Sequence, residues 1–475
     1  MKLPKIIQGG MGVAISDWQL AQAVSSLGHL GVVSGTGLAI IFSSRLQNGD
    51  PGGDMRRALA SFPDQEAVQR VLRRYFVEEG IPESQPYRRP SLWSTTPPRD
   101  LVELTVVANF VEVFLARQGH ANPVGINLLE KVQMPTIASL YGAMLAGVDF
   151  VLMGAGIPLQ IPGILDRLAE HQAVSYRLDI VRGQTEHFVH FDPAEMFPDI
   201  SGLLKRPLFL PIISSFVLAQ ALLKRATGRI DGFVVETPIA GGHNAPPRGS
   251  FELNKDREPI YGEKDVVDLE KLKSLDRPFW LAGGYGSANK LAEALAADAA
   301  GIQVGTAFAY CNESGMADWV KQDVIRKVLS EEVKVHTSAV ASPTGFPFKV
   351  VRLEETLSDP AVYEIRERVC DIGYLRHQYE REDGTLGYRC SAEPVDLYVE
   401  KGGEIQDASE RVCLCNCLVA TAGFGQRRRS GYEEPVMVTS GDDLVNIRQF
   451  IKPGMTRYSA ADVIAELERS VIVSP

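Results

Sequence analysis

The sequence lacks any apolar run long enough to span a membrane. Its first residues, Met1-Lys2-Leu3-Pro4-Lys5, lead into glycines without the apolar core of a secretory leader. The expectation is a cytoplasmic protein with no membrane partner. Positive charge is short as well: 49 basic residues face 59 acidic ones, the net charge is -10, and the Arg427-Arg428-Arg429 run is isolated. Such a balance disfavours attraction to phosphate backbones, so nucleic acid is not an expected partner. Cysteine is scarce, at six in 475 residues, and no Cys-x-x-Cys pair occurs, which removes the strongest zinc and dithiol signature. Segments too poor in apolar residues to fold are also missing. With 45% hydrophobic and 23% charged residues the composition is globular throughout.

What is present is a rhythm. Short β-branched runs end in Gly, Ser or Asn and lead into stretches of helical period, the pattern of repeated βα units with parallel strands. Strands are predicted at Lys5 to Gln8, Leu30 to Val33, Pro123 to Asn127, Phe150 to Met153, Leu210 to Ile213, Gly232 to Glu236, Phe279 to Ala282 and Gly301 to Val304. Eight such units predict an α/β fold, a closed (β/α)8 TIM barrel. Ser16 with Gln19 has the form of a capping box for a helix that Gly28 ends, and Ser287 that of a cap for Leu291 to Ala296.

The length suits one large domain with an extension. The barrel is placed at 1–345 and a C-terminal extension, packed on it and ending in a helix near Ala460 to Val471, at 346–475. Two insertions break the rhythm. The first, about 43–119, interrupts the second unit with Asp50-Pro51-Gly52-Gly53, an amphipathic stretch at Val68 to Phe76 and a helix through Val106 to Leu115; the expectation is a lid. The second, about 174–191, alternates apolar and polar residues around Arg182-Gly183-Gln184, as a hairpin outside the barrel does.

Five of the six cysteines, Cys370, Cys390, Cys413, Cys415 and Cys417, fall in the extension. On a strand the last three would share one face, and two of them with Cys370 and Cys390 would make a four-thiolate site for zinc or an iron-sulfur cluster. The other reading is ordinary reduced thiols. The missing Cys-x-x-Cys favours it, and no metal is assigned.

Chemistry is concentrated at the ends of the later strands. Trp280 to Ser287 reads strand end, glycine turn and helix start, with Gly283 and Gly284 at the turn, and Gln303-Val304-Gly305-Thr306 follows one unit later. Either glycine cluster alone is more often a tight turn. Together, after strands 7 and 8 of a barrel, they offer backbone N–H groups to a phosphate and imply a phosphorylated cofactor. After strand 6 runs Glu236-Thr237-Pro238-Ile239-Ala240-Gly241-Gly242-His243-Asn244. The two glycines let a planar ring rest on the backbone, and a histidine at a strand's C-terminal end is placed for proton transfer near neutrality. His243 is the candidate general base.

In order along the chain, Ile6-Ile7-Gln8-Gly9-Gly10-Met11-Gly12, Gly125-Ile126-Asn127-Leu128, Ala240-Gly241-Gly242-His243, Ala282-Gly283-Gly284 and Gln303-Val304-Gly305-Thr306 resemble the motifs of nitronate monooxygenases (2-nitropropane dioxygenases) over roughly Pro4 to Phe308. The resemblance implies an FMN-dependent oxidoreductase in which His243 takes the α-proton of a nitroalkane or assists oxidation of its nitronate by O2. It implies further that Gly10, Met11 and Asn127 approach the flavin, that Glu236 and Gly241 lie beside it, and that Gly283, Gly284, Gln303, Gly305 and Thr306 hold its phosphate end. Self-association is a family habit.

The Gly-Gly-His motif is shared with flavin-dependent enoyl reductases, so reduction of an enoyl thioester with NAD(P)H stays open. A flavin-binding accessory protein without turnover is the third reading. Many of the family carry glutamine at the position of Glu236. An ionised carboxylate there would oppose negative charge on a reduced flavin, unless its pKa is raised or its side chain turned away. The loop continuing Asn244-Ala245-Pro246-Pro247-Arg248 also departs from the short form of the relatives and marks a distinct subgroup.

Overall fold

The computed structural model describes residues 3–181 and 183–469. Arg182, at the centre of the expected hairpin, and Val471, at the expected end of the last helix, lie outside the described residues. Eight strands, numbered here in barrel order, are β1 (Ile6–Gln8), β2 (Gly31–Ser34), β3 (Val124–Leu129), β4 (Phe150–Gly154), β5 (Leu208–Ile213), β6 (Phe233–Glu236), β7 (Phe279–Ala282) and β8 (Gly301–Val304). Each pairs in parallel with its neighbour from β2 round to β8 and then β1. A parallel bridge between Ile7 and Leu30 closes the ring. The TIM barrel expected from the eight short runs is therefore what forms.

Two-residue periodicity divides each strand between two cores. Ile7, Leu30, Val32, Phe150, Leu152, Leu210, Val234 and Trp280 fill the inside. Their neighbours Ile6, Val33, Val151 and Val235 face the helices. The Trp280 indole N–H donates to the Pro4 carbonyl at 2.7 Å, which fastens the start of the chain under the barrel.

The helix Trp18–Ser26 forms, but its cap is Asp17, whose carboxylate accepts from the backbone N–H groups of Gln19 and Leu20. The expected Ser16–Gln19 box is corrected, because the Ser16 hydroxyl is already committed: it accepts from Met11 N–H and donates to the Gly9 carbonyl. Gly28 follows the helix at φ 89, and Ser287 caps Ala288–Ala296. In the hairpin, Val174–Arg177 pairs antiparallel with Phe188–Phe191.

The insertion does not build a lid. Its long helix, Arg99–Ala116, is buried along almost its whole length and packs on Thr136–Leu145. The approach is so close that a Cβ on Gly142 would sit 2.1 Å from the Val106 carbonyl oxygen. Arg45 ties this wall together, reaching Glu112 at 2.7 Å and Asp17 at 3.2 Å. An apolar helix with so little polar surface is stable only inside, which is why it joins the outer layer of the barrel.

The extension does the covering. Its strand Phe348–Val351 pairs antiparallel with Val335–Ser338, and its last helix, Ala460–Glu468, packs on Trp18–Ser26 and Ala288–Ala296. The strand expected over Cys413 to Cys417 is a helix, Leu414–Thr421, with Cys413 at its cap. Alternation on one face is thereby lost, since residues four apart, not two, share a helix face. The six cysteines are free thiols, and among the described residues no group of three or more His, Cys, Asp or Glu is placed to hold a metal ion. No helix among the described residues is long and apolar enough to cross a membrane.

Candidate active site

The C-terminal ends of the barrel strands open into a cavity of about 260 Å³. All eleven residues singled out from the sequence line it: Gly10, Met11, Asn127, Glu236, Gly241, His243, Gly283, Gly284, Gln303, Gly305 and Thr306. Asn127, Glu236 and Gln303 come from β3, β6 and β8 themselves and the others from the loops after β1, β6, β7 and β8, brought together because the barrel closes. No residue of the 43–119 insertion lines the cavity, whereas Tyr374, Leu375, Cys415, Leu418, Thr439 and Ser440 of the extension do.

The glycines are spatial requirements. At Gly10 a Cβ would lie 2.4 Å from the Asn127 Cβ, so the loop after β1 can touch β3 only without a side chain. Asn127 Nδ2 then donates to the Gly10 carbonyl at 3.0 Å. Gly283 and Gly284, both in the cavity lining, have φ of 80 and 77, a left-handed pair that L side chains rarely adopt. Thr237 Oγ1 donates to the Gly283 carbonyl and fixes this turn to the loop after β6.

The loop carrying His243 is stitched to the extension. Gly242 N–H donates to Thr439 Oγ1 at 2.8 Å, Lys349 N–H to the Gly242 carbonyl at 3.0 Å, and Asn244 N–H to the Pro347 carbonyl at 2.9 Å. His243 pairs its backbone with Phe348. Its Nε2 lies 2.7 Å from Ser342 Oγ, while Nδ1 has no partner among the described residues. Burial, and then the charge of Lys131, push the imidazole well below its ordinary range. A lowered pKa favours the neutral ring, and in the tautomer that donates from Nε2 to Ser342 the lone pair sits on Nδ1, as a base requires.

Glu236 stays in the cavity wall, and burial pushes its carboxyl up to about 7. A carboxyl raised to about 7 holds its proton over much more of the pH range than an ordinary glutamate does. Lys131, Ser342 and Thr344 escaped sequence reasoning: they lie in loops, and their partners are distant in the chain. The β-branched run Val436-Met437-Val438-Thr439 ahead of Ser440-Gly441 was the available signal for the covering segment.

These residues suit a planar, phosphorylated ring system. Asn127 Oδ1 and Gln303 Oε1 are buried without partners among the described residues, facing loops whose glycines leave a cradle that side chains would fill. Polar atoms so placed cost free energy unless a ligand satisfies them.

Fold and site define an α/β barrel with a glycine-lined cavity at the C-terminal ends of its strands. Residues 168–348 match the family model described as nitronate monooxygenase, so the half of the barrel that carries the Gly-Gly-His loop has the sequence pattern of that family. The match begins later than Pro4 and ends at Phe348, inside the strand that pairs with His243. A curated relative, the (3aS,4S,5R,7aS)-5-hydroxy-7a-methyl-1-oxo-octahydro-1H-indene-4-carboxyl-CoA dehydrogenase of Rhodococcus jostii (strain RHA1), is 28% identical over 143 residues, 30% of this chain and 35% of that one. The chain thus spans about a third of that relative's length. Among solved structures, FabK from Thermotoga maritima gives a TM-score of 0.48 at 16% identity, covering 99% of this chain and 94% of that one. The nitroalkane oxidase from Streptomyces ansochromogenes gives 0.45 at 16%, covering 99% and 97%.

Proposed function

We propose that this chain is an FMN-dependent nitronate monooxygenase that oxidises alkyl nitronates with O2, with His243 as general base. The observation that carries the reading is the placement of a neutral imidazole, one nitrogen anchored and the other free, on the wall of a cavity ringed by glycine loops. A bound flavin supplies the electron acceptor. Gly283, Gly284, Gln303, Gly305 and Thr306 would hold its phosphate end, and Gly10, Met11 and Asn127 would approach its ring. Neutral Glu236 would donate a hydrogen bond without repelling negative charge on the ring. A nitronate has already lost its α-proton, so His243 would accept that proton, at Nδ1, from the parent nitroalkane and would assist oxidation of the nitronate, while Ser342 fixes the ring's orientation. The substrate would be a small molecule held beside Tyr374 and Leu418, which the extension contributes to the cavity lining.

The test is the absorption spectrum of purified protein together with O2 uptake on 3-nitropropionate, which still carries its α-protons, beside propionate 3-nitronate, which has already lost one. A flavin spectrum with uptake that collapses in His243→Ala is expected. Full activity in that variant sinks the base, and absence of flavin after reconstitution sinks the cofactor.

A second reading has one observation in its favour: the curated relative is named for an acyl-CoA substrate. Under it, the same flavin exchanges electrons between NAD(P)H and an enoyl thioester. Anaerobic bleaching by NADPH followed by reoxidation with crotonyl thioester, without nitronate-dependent O2 uptake, decides for it.

A further inference from the structure

His243 is enclosed on the side away from the cavity, and a proton it takes must leave by some route. Three polar side chains stand behind it in sequence. Ser342 Oγ is 2.7 Å from His243 Nε2, Thr344 Oγ1 is 2.8 Å from Ser342 Oγ, and Lys131 Nζ reaches Thr344 Oγ1 at 3.4 Å. Lys131 is partly exposed, and its ammonium position lies 4.1 Å from the centre of the Phe346 ring. The chain therefore runs from the cavity wall to the amine of Lys131, a residue of intermediate exposure. From these contacts we infer that Ser342, Thr344 and Lys131 form a proton relay serving His243, with Lys131 as its outer terminus. The inference rests on the proposed role of His243, but not on the choice between nitronate and thioester.

The relay balances without any outside reactant. A hydroxyl donates and accepts at once, so each link can run in either direction. When His243 Nδ1 takes a proton, the Nε2 proton passes to Ser342 Oγ, the Ser342 proton to Thr344 Oγ1, and the Thr344 proton to neutral Lys131 Nζ. Lys131 becomes an ammonium and releases its proton to water. In a reductive turnover the same chain runs inward.

An ordinary lysine is protonated at neutral pH and cannot accept. Here burial pushes Lys131 down to about 7, so an appreciable fraction is the free amine. Other charged and titratable groups face the chain. Glu130 lies beside Lys131 and favours its protonated form, and His377 feels Lys131 together with Arg389 and Arg411. The Arg411 guanidinium donates to the Ser342 carbonyl at 2.6 Å, which holds the loop that carries both hydroxyls. None of these interrupts the three links.

The deciding measurement is the exchange rate of the His243 Nε2 proton with water, read by NMR on the protein as purified with ¹⁵N-labelled histidine. It needs no turnover. Lys131→Met and Thr344→Val are expected to slow exchange about 10-fold or more, and Thr344→Ser to restore it. Lys131→Arg keeps the charge but cannot accept, and is expected to behave like Lys131→Met. Exchange at the wild-type rate in Lys131→Met and Thr344→Val overturns the relay. Should Lys131→Met fail to fold, Thr344→Val against Thr344→Ser carries the same decision. Where turnover with 3-nitropropionate, which still carries its α-protons, is present, kcat is expected to fall about 10- to 100-fold in Lys131→Met with KM little changed, and small primary amines to recover part of it. Loss of turnover in His243→Ala beside unchanged exchange in Lys131→Met rejects the relay and keeps the base. Unchanged turnover in His243→Ala rejects the base itself.

Discussion

The Phe348 ring meets His243 edge-on, with centroids 4.9 Å apart, and the backbones of the two residues pair as an antiparallel bridge. The candidate base is thus set by a residue over a hundred positions away, in the first strand of the extension. Phe348 is buried, and truncation to alanine removes both its packing and its hold on the imidazole. Phe348→Ala is expected to lose ~3–5 kcal/mol of stability, the usual range for a core phenylalanine. Phe348→Leu should recover most of the stability but not the orientation. Urea unfolding beside kcat separates the two. A Phe348→Leu protein with normal kcat would show that the ring contact has no role in placing His243.

Gly283 joins two constraints in one position. Its φ of 80 strains any L side chain, and a Cβ there would lie 2.4 Å from Thr237 Oγ1. Gly283→Ala is expected to weaken FMN binding about 10-fold or more, equivalent to ~1.4 kcal/mol. Gly28→Ala supplies the control, because Gly28 has a similar φ of 89 with nothing within 4 Å of its would-be Cβ. Quenching of flavin fluorescence on binding gives both affinities. Equal affinities in the two variants would remove Gly283 from the phosphate cradle.

Glu236 makes stability depend on pH in a stated direction. Burial raises its folded pKa from the ordinary 4.5 to about 7, so between those values the folded chain holds a proton that the unfolded chain has released. Stability linked to this group is complete below pH 4.5 and falls as pH rises through 7. Glu236→Gln cannot ionise and does not suffer the loss. In FMN-free protein the variant's stability, relative to wild type, should therefore be greater at pH 8.5 than at pH 5. Parallel melting curves at both values check this, and a difference that does not change with pH would mean that Glu236 titrates normally.

Which parts of this were legible in the sequence follows from the range of the forces involved. Strand positions such as Phe150 to Met153 were readable because a barrel strand is short, β-branched and bounded by turn residues, all local properties. The cavity residues were readable because Gly10, Gly283 and His243 each follow a strand, and barrel topology gathers the strand ends. The N-cap was misassigned by one residue because the Ser16 hydroxyl is taken up by Met11 and Gly9, a contact that no helix pattern encodes. Arg99–Ala116 was mistaken for part of a lid because its partner, Thr136–Leu145, is separated from it by a strand. Lys131, Ser342 and Thr344 form one chain of contacts from loops 211 positions apart at their nearest, and loops carry no periodicity from which to infer it.

The thiols of the extension divide by environment, and that division reports on the cavity. Burial pushes Cys417, and Cys311 of the barrel, well up; burial and then a neighbouring thiol do the same for Cys370 and Cys390, and a hydrogen bond with Cys415 and then burial for Cys413. A raised thiol pKa leaves little thiolate at neutral pH, and the thiolate is the nucleophile. These five are expected to resist alkylation in the folded protein. Cys415 differs in position: it lies on the helix Leu414–Thr421 and lines the cavity beside Leu418 and Tyr374. A small maleimide is therefore expected to label Cys415 first, and saturation with FMN to slow that labelling several-fold, because the two compete for one space. Peptide mass mapping over a time course identifies the site. Labelling of Cys415 at a rate indifferent to FMN would place the cofactor elsewhere, whereas protection confined to Cys415 would tie the cover supplied by the extension to the ligand beneath it.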